Sequence, residues 1–318
     1  MLAEEPRWMF ASSKPLTRWY GHVHLLPNHV VGQWFCVDRL SGQVKWQLNF
    51  GRPNTITAVN SDVIVASEMR SDGPWTASFG CYGICLDTGQ LLWKSHRSGF
   101  WGRFVRLLDF VPGFTNDLRD TPHHVEDGKV YCQSGRVLDA RTGQTLQKVD
   151  PEIIRSHEKP ISLGQQFYDS GLETDHPRVA IGDGLFLRHV QATKGKQRGV
   201  LEISAQNKSA NSTWRFSVEQ FGRHIDGNFY SYRLVPPFIY FVVSDEPRYK
   251  PHPTKEHYVL PNPTLWHVIS IALETGKIVQ DFSLGSDKLE ECRIEDVDDR
   301  GLLIGKSSRE LLYFERVG

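Results

Sequence analysis

Residues 35–46 of the chain read FCVDRLSGQVKW: an alternating segment, a polar turn that ends in Ser-Gly, and a short segment that ends in Trp46. Alternation on both sides of a glycine turn predicts a β-hairpin. The pattern returns at residues 83–93, 136–144 and 271–277, and in a weaker copy between Leu201 and Trp214. Recurrence of one supersecondary unit along a chain indicates a repeat architecture.

Each hairpin is preceded by two further strand patterns separated by Gly, Asn, Asp or Pro turns, and four antiparallel strands per repeat are typical of a propeller blade. The last repeat has three strands, and residues 7–11 can supply its missing outer strand. We therefore predict an all-β fold, a β-propeller of six four-stranded blades forming one domain over residues 1–318. Five or seven blades remain alternatives, because the fourth hairpin is weak. The expected blades are approximately residues 22–50, 55–95, 121–149, 178–218, 232–282 and 293–317.

The Asp-x-x-Ser/Thr-Gly turn followed by Trp resembles the repeat of pyrroloquinoline-quinone-type (PQQ-like) β-propellers. The matching residues are Asp38, Gly42, Trp46, Gly89, Trp93, Asp139 and Gly143. Asp87 and Glu274 stand two residues before the glycine, which we interpret as a shortened turn. We expect all of these residues to build blades, with glycine in a left-handed turn, Asp bonded to backbone N–H groups, and Trp between sheets.

The quinone dehydrogenases of that family are larger, exported proteins with adjacent cysteines near the cofactor. This chain has no adjacent cysteines and no apolar leader in its first residues. The resemblance therefore implies the fold and a non-enzymatic scaffold, and no cofactor is expected. A secreted lectin-like or quinone-binding protein is a further alternative, which would need a longer precursor.

Lys plus Arg and Asp plus Glu are equal at 37 each, whereas a nucleic-acid or anionic-membrane binder normally carries a basic excess. No apolar run reaches the length of a transmembrane helix. Cys81 and Cys85 would lie about 13 Å apart on one strand, too far for a disulfide. We predict a cytoplasmic monomer with a protein partner, no nucleic acid and no membrane.

With strands labelled a to d from the propeller axis outward, the long b–c loops and d–a crossovers open on one face, which we name the long-loop face. Long loops on a rigid scaffold commonly carry function. The predicted b–c loops are Ser67–Gly80 and Ser244–Trp266, with a smaller one at 191–199, and the crossovers are His96–Asp120 and Asp150–Pro177. The binding candidates on this face are Trp101, Arg103 and Arg106, because Trp and Arg are enriched at binding hot spots. Tyr249 and His257 are further candidates, because their Pro-broken, polar loop is expected to be extended and exposed. Alternatively, the aromatic crossover around Trp101 packs its own side chains onto the disc.

Aligned inner strands place His24, Thr57, His123, Val179, Arg233 and Glu295 in one column. The alternative function is an enzyme or small-ligand receptor using His24, His123, Arg233 and Glu295 in a polar central channel. These side chains could equally bond neighbouring blades or channel water. His123 and His124 are adjacent, and neighbours on a strand point to opposite faces, so no metal site is expected.

Overall fold

The computed structural model describes 26 β-strands and one short helix, and none of the helical structure in the described segments is long and apolar enough to cross a membrane. The described residues are 1–16, 23–33, 35–48, 54–60, 62–72, 75–95, 122–156, 178–180, 185–191, 200–207, 212–217, 223–224, 232–255 and 258–317. The chain divides into two compact units. The first-half unit is Leu16–Pro160, and the second-half unit is Ile161–Gly318 together with Met1–Pro15. Strand β1 (Trp8–Ala11) thus belongs with the C-terminal half.

The first-half unit contains three four-stranded antiparallel sheets, each pairing its strands in chain order. The first sheet is β2 (His24–Leu25), β3 (His29–Val31), β4 (Phe35–Asp38) and β5 (Val44–Gln47). The second is β6 (Asn54–Asn60), β7 (Val63–Asp72), β8 (Trp75–Cys85) and β9 (Leu91–Ser95). The third is β10 (Pro122–Glu126), β11 (Lys129–Cys132), β12 (Arg136–Asp139) and β13 (Thr145–Lys148), followed by helix α1 (Pro151–Ser156).

The second-half unit contains three more four-stranded sheets and a small hairpin. The fourth sheet is β14 (Arg178–Ala180), β15 (Leu185–Gln191), β16 (Val200–Asn207) and β17 (Ser212–Ser217). The fifth is β18 (Tyr232–Val235), β19 (Phe238–Ser244), β22 (Trp266–Ala272) and β23 (Ile278–Ser283), with β20 (Tyr249–Pro251) and β21 (Val259–Pro261) between its middle strands. The sixth is β24 (Arg293–Val297), β25 (Gly301–Gly305), β26 (Glu310–Glu315) and β1.

Four-stranded antiparallel meanders in chain order are the unit of a propeller blade. The predicted fold class, an all-β β-propeller, is confirmed, and the number of blades stays a prediction. One predicted loop is wrong: Ser67–Gly80 continues the second sheet, with pairing that extends to Asp72 and Trp75. A register shift between Ser67 and Met69 marks where the sequence pattern breaks although the strands continue.

The repeat turn is built by one carboxylate and one glycine. Asp38 Oδ1 accepts hydrogen bonds from the N–H groups of Leu40 and Ser41 and from the Ser41 hydroxyl, at 3.1, 2.8 and 2.8 Å. These bonds, chiefly the one from the Ser41 N–H, lower the pKa of Asp38. Gly42 closes the turn with φ of 70°, a conformation that side chains with a Cβ rarely adopt. The predicted roles of Asp and Gly are therefore confirmed here.

The shortened turn predicted at Asp87 and Glu274 is wrong. In all four turns the glycine N–H bonds the carbonyl four residues earlier, so the turns have equal length: Gly42 to Asp38, Gly89 to Cys85, Gly143 to Asp139 and Gly276 to Ala272. Cys85 and Ala272 simply occupy the place of the aspartate. Cys85 still takes part in the turn, because a hydrogen bond with the Thr88 side chain lowers the pKa of its thiol.

The tryptophan at the end of each of the first two hairpins joins neighbouring sheets. Trp46 donates its indole N–H to the Leu86 carbonyl at 2.7 Å, and Trp93 donates to the Ala140 carbonyl at 2.8 Å. A Cβ added at Gly89 would lie 2.8 Å from the ring of Trp46, so this glycine is also required by close packing. The predicted position of Trp between sheets is confirmed within the first-half unit.

The N-terminal segment completes the sixth sheet, as predicted. β1 pairs antiparallel with β26, with Trp8 opposite Tyr313 and Ala11 opposite Glu310. The Met1 ammonium and carbonyl bond the carbonyl and N–H of Val317 at 3.0 and 2.7 Å. Leu2 is buried in the core formed by the fifth and sixth sheets. The two chain ends are therefore held together by backbone pairing and by apolar burial.

Candidate functional site

The insertion between β19 and β22 forms an exposed two-stranded hairpin, β20–β21, which we name the fifth-sheet hairpin. Its register sets Tyr249 opposite Pro261, Lys250 opposite Leu260, and Pro251 opposite Val259. Directly opposed residues share one face of an antiparallel pair, so Tyr249, Pro251, Val259 and Pro261 form one apolar face. All six strand residues are exposed, with Tyr249 at 45% and Val259 at 60%.

The backbone edges of the hairpin offer few free donors. The chain ladder bonds the N–H of Asn262 to the Arg248 carbonyl and the N–H of His252 to the Tyr258 carbonyl, both at 2.8 Å. Each strand has a proline between these two bonded pairs: Pro251 in β20 and Pro261 in β21. Neither proline has an N–H group to offer at the edge of the hairpin. Prolines on edge strands oppose pairing with another strand. The hairpin therefore presents side chains rather than an open backbone edge.

Two cations lie over the tyrosine rings of the hairpin. The Arg248 guanidinium carbon lies 5.0 Å from the ring centroid of Tyr249, and Lys255 Nζ lies 5.1 Å from that of Tyr258. Cation–π contacts at exposed sites contribute about 0.5–1 kcal/mol and restrict the rings to fewer rotamers. Tyr258 is nevertheless 64% exposed, so its ring remains accessible to a partner.

Side-chain bonds fix the base of the hairpin to the fifth sheet and to the segment before β24. Arg248 Nη2 pairs with Glu291 Oε1 at 3.1 Å, which ties the residue just before β20 to that segment. Asn262 Nδ2 donates to the Pro247 carbonyl at 2.8 Å, and the Glu246 N–H donates to the buried Thr264 hydroxyl at 3.0 Å. The exposed face is thus mounted on an ordered base, which lowers the entropy cost of binding.

A charged cluster secures the start of the same insertion. Asp245 lies 3.2 Å from His267 Nε2 and 3.7 Å from Arg223 Nε. Arg223 Nη1 also donates to Asp281 Oδ1 at 2.5 Å. In addition, His224 and Ser244 exchange backbone hydrogen bonds of 2.8 and 2.9 Å. These contacts bind residues 223–224 to the end of β19, where the insertion leaves the fifth sheet.

Of the five predicted binding residues, Tyr249 lies on the apolar face of the hairpin, whereas Trp101, Arg103, Arg106 and His257 lie outside the described residues. Sequence reasoning did not select Tyr258, Val259 or Leu260. The sequence pattern that indicates this hairpin is a pair of tripeptides, Tyr-Lys-Pro at 249–251 and Val-Leu-Pro at 259–261, on either side of a polar turn.

The four channel candidates lie on the first strand of their sheets, and each unit holds two of them. In the second-half unit, Arg233 Nη2 lies 3.4 Å from the Ile294 carbonyl, and Arg293 Nε donates to Glu295 Oε1 at 2.5 Å. Burial raises the pKa of Glu295, whereas Arg293 and, to a smaller extent, Arg233 oppose that rise. The cluster is therefore a buried carboxyl group that Arg293 contacts directly and whose charged form Arg233 also favours.

In the first-half unit, His24 is enclosed and His123 contacts its neighbour. Burial lowers the pKa of His24, and its Nε2 has no hydrogen-bond partner among the described residues. His123 Nδ1 lies 3.0 Å from His124 Nδ1. The expectation that these two neighbours point to opposite faces is wrong, because a register shift at His123 breaks the alternation of β10.

The same irregularity occurs at three of the aligned inner-strand positions. Thr57, His123 and Glu295 are each the residue skipped by the pairing register of their sheet. A β-bulge adds one residue to a strand and redirects a side chain.

Within the described parts of the chain, no three His, Cys, Asp or Glu side chains are grouped as metal ligands.

The fold and this site define an all-β, propeller-type chain that carries an exposed apolar hairpin on one sheet. No family model matches the sequence, and no curated protein matches it. Similar solved structures include BamB from Moraxella catarrhalis, at 10% identity and TM-score 0.36, covering 99% of this chain and 100% of that one. A chain of a mitotic checkpoint complex matches at 9% identity and TM-score 0.41, with 99% and 96% covered. The Cps50 (Swd1) β-propeller domain of Myceliophteria thermophila matches at 8% and 0.33, with 96% and 100% covered.

Proposed function

We propose that the protein is a non-enzymatic binding module and that the fifth-sheet hairpin docks a protein partner. The observation that carries this proposal is the apolar face of Tyr249, Pro251, Val259 and Pro261, which is exposed although its base is bonded to the sheet. An exposed, contiguous apolar surface on an ordered element is typical of an interaction site. Tyrosine side chains over which a cation is already placed are suited to act as anchors.

The shape of the surface favours a macromolecular partner over a small ligand. Small molecules bind in concave sites that bury most of their surface. The hairpin instead projects both faces, since every residue of β20 and β21 is exposed. Its proline-blocked edges disfavour strand addition and favour recognition through side chains.

The charge of the hairpin specifies the chemistry of the partner. Arg248 is paired with Glu291, and residues 249–261 contain Lys250 and Lys255 against Glu256, so this segment is +1 (2 − 1) in a chain whose net charge is zero. Complementary charge steers association and suppresses incorrect partners. The partner we propose is therefore an acidic protein segment with apolar side chains that cover Tyr249 and Val259.

Selection from a random peptide display library tests this proposal with a defined probe. The library is panned on the wild-type protein alone, and the selected peptides are then measured against the Tyr249→Ser/Val259→Ser double variant. We expect the selected peptides to combine acidic and apolar residues and to bind the double variant at least ~10-fold more weakly, a loss of about 1.4 kcal/mol. Fluorescence anisotropy with the synthesised peptides measures the affinities.

The control is Leu260→Ser, a change of similar size on the opposite face of the same hairpin. The double variant should unfold within about 0.5 kcal/mol of wild type, because exposed side chains contribute little to stability. Peptides without acidic residues, or peptides that bind the double variant as tightly as wild type, would contradict the proposal. A Trp101→Ala/Arg103→Ala variant in the same assay shows whether the peptides bind the hairpin or the aromatic crossover. Arg106 in the crossover and His257 in the hairpin insertion stay candidates from the sequence.

In the finer form of the proposal, the chain is a single PQQ-like propeller domain over residues 1–318, cytoplasmic and monomeric. The turns at Asp38 and Asp139 and the tryptophans at 46 and 93 support the PQQ-like assignment. Sedimentation of the purified chain tests the monomer, and fractionation of expressing cells tests the location. The partner-binding surface lies on the predicted long-loop face.

A second candidate function is a small-anion receptor at the inner strands of the fifth and sixth sheets. It is favoured by two guanidinium groups, Arg233 and Arg293, beside the buried carboxyl of Glu295. A thermal-shift screen with small carboxylates and phosphate tests it. The expected result is a rise in Tm that disappears in Arg233→Ala, and an equal rise in both proteins would exclude this site.

A further inference from the structure

His123 and His124 are consecutive residues whose imidazole rings meet. The register of β10 with β11 passes from Pro122 opposite Cys132 to His124 opposite Tyr131, which leaves His123 as the extra residue of a bulge. The bulge brings the two Nδ1 atoms to 3.0 Å, with the rings at 83° to each other. Regular alternation would have separated them to opposite faces.

We propose that this His–His pair is a two-nitrogen site for a divalent transition metal that accepts nitrogen ligands at a right angle, namely Cu²⁺ or Ni²⁺. The two nitrogens lie 3.0 Å apart, so a metal about 2.0–2.1 Å from each would have an N–metal–N angle of about 95°. This angle suits adjacent positions of a square-planar or tetragonal ion. Tetrahedral Zn²⁺ would need the nitrogens about 3.3–3.4 Å apart.

The orientation of the second imidazole is already set. The ring of His124 stacks on Tyr131, with centroids 4.4 Å apart and planes at 11°. A ligand ring held by packing loses less entropy when the metal binds, and the surrounding contacts of metal ligands tune affinity. Both histidines are part-exposed, so the ion and its remaining water ligands have access to the pair.

A metal ion can replace the hydrogen bond between the two rings without a net loss of protons from the pair. For two neutral rings, a hydrogen bond across the 3.0 Å contact requires that one Nδ1 donates its proton and the other Nδ1 accepts it. Metal binding at both Nδ1 atoms requires that both rings carry their proton on Nε2. One ring changes tautomer, and neither ring loses a proton to solvent.

Electron paramagnetic resonance of the wild-type protein with one equivalent of Cu²⁺ tests the proposal directly. We expect a tetragonal Cu²⁺ signal with hyperfine coupling to two imidazole nitrogens. Calorimetric titration with Cu²⁺ and with Ni²⁺ should show one site that is lost in both His123→Gln and His124→Gln. The matched control is His252→Gln, which removes a histidine from the fifth-sheet hairpin and should leave the stoichiometry unchanged.

A spectrum with fewer than two coupled nitrogens, or a stoichiometry that survives both substitutions, would overturn the proposal and leave the pair as an N–H···N hydrogen bond. Thermal unfolding of each variant reports whether the substitution affects folding. Should a variant fail to fold, the nitrogen count of the wild-type spectrum still decides the question.

Discussion

The repeat turns and the fifth-sheet hairpin use the same residue types for opposite purposes. At the repeat turns the aromatic side chain is enclosed: Trp46 and Trp93 are each 8% exposed and donate to a carbonyl of the next sheet. On the hairpin the aromatic rings are exposed, and a cation contacts each of them. The turns therefore hold sheets together, whereas the hairpin leaves its contacts available.

Structural and functional aromatic residues in a repeat protein can be distinguished by their position relative to the repeat. An aromatic residue that recurs at one offset from a turn glycine has a packing partner in the next repeat, as Trp46 has in Gly89. An aromatic residue that occurs outside the repeat period has no such partner built into the architecture. Tyr249 and Tyr258 belong to an insertion that interrupts the repeat, which favours a role in binding.

The largest expected effect comes from truncating an enclosed aromatic. Trp93 packs in the cluster of Val63, Val65, Val130 and Leu138, which joins the second and third sheets. We expect Trp93→Ala to reduce the free energy of unfolding by about 3–5 kcal/mol, through lost burial and the cavity that remains. Urea denaturation followed by circular dichroism measures the change.

The control is Leu92→Ala, the adjacent residue, whose side chain is exposed and which should change stability by less than about 0.5 kcal/mol. Equal effects of the two substitutions would mean that Trp93 does not hold the sheets together. The Tyr249→Ser/Val259→Ser variant should show the opposite result, with weaker peptide binding and a nearly unchanged free energy of unfolding.

An intermediate effect is expected at Gln280, which occupies in the fifth sheet the position that Trp46 and Trp93 occupy in theirs, four residues after the turn glycine. Its amide accepts from the Leu2 N–H at 2.6 Å and donates to the Leu2 carbonyl at 2.7 Å. Gln280→Ala leaves both backbone groups of Leu2 without this partner and should cost about 1–3 kcal/mol. Limited proteolysis should then cleave within the first residues faster than in wild type.

Gln147→Ala is the matched control, because Gln147 stands at the same repeat position of the third sheet and is exposed. We expect neither faster cleavage nor a shifted unfolding midpoint in this control. Unchanged cleavage in Gln280→Ala would show that β1 is retained by its pairing with β26 alone.

The sheets could be predicted because their signal is periodic and local. The turn at Asp38, the strand at 7–11 and the three strands of the sixth sheet were deduced from alternation and glycine placement. The hairpin β20–β21 was identified only as a long polar loop, since its strands are three residues each and contain proline. Strands this short carry too few alternations to be distinguished from an irregular segment.

The bulges explain why the sequence identifies the polar residues of the inner strands but does not predict which of their side chains meet. Alternation assigns each residue of a strand to a face, and one extra residue reverses that assignment for the rest of the strand. The sequence of β10 contains no glycine or other signal at His123, so the contact with His124 was not predictable. Similarly, spacing along the chain relates Cys81 to Cys85, whereas the sulfur of Cys81 lies 4.0 Å from that of Cys132 on the third sheet.

The smallest expected effect concerns the carboxylate of the repeat turn in the third sheet. Asp139 Oδ1 accepts from the N–H groups of Arg141 and Thr142 and from the Thr142 hydroxyl, at 3.0, 2.7 and 2.9 Å. These bonds, chiefly the one from the Thr142 N–H, lower the pKa of Asp139 below its ordinary value of 3.8. A lowered pKa in the folded state means that the ionised carboxylate stabilises the fold above pH 3.8.

That contribution is lost as the pH falls from 3.8 through the folded-state pKa, where both states become protonated. Asp139→Asn should therefore unfold at a slightly lower urea concentration than wild type at pH 7, and the gap should narrow as the pH falls below 3.8. Substitution at Cys85, which holds the same turn position without a carboxylate, should show no such narrowing. A gap for Asp139→Asn that stays constant down to acidic pH would mean that the turn depends on hydrogen-bond geometry and not on charge, as the turn at Ala272 already must.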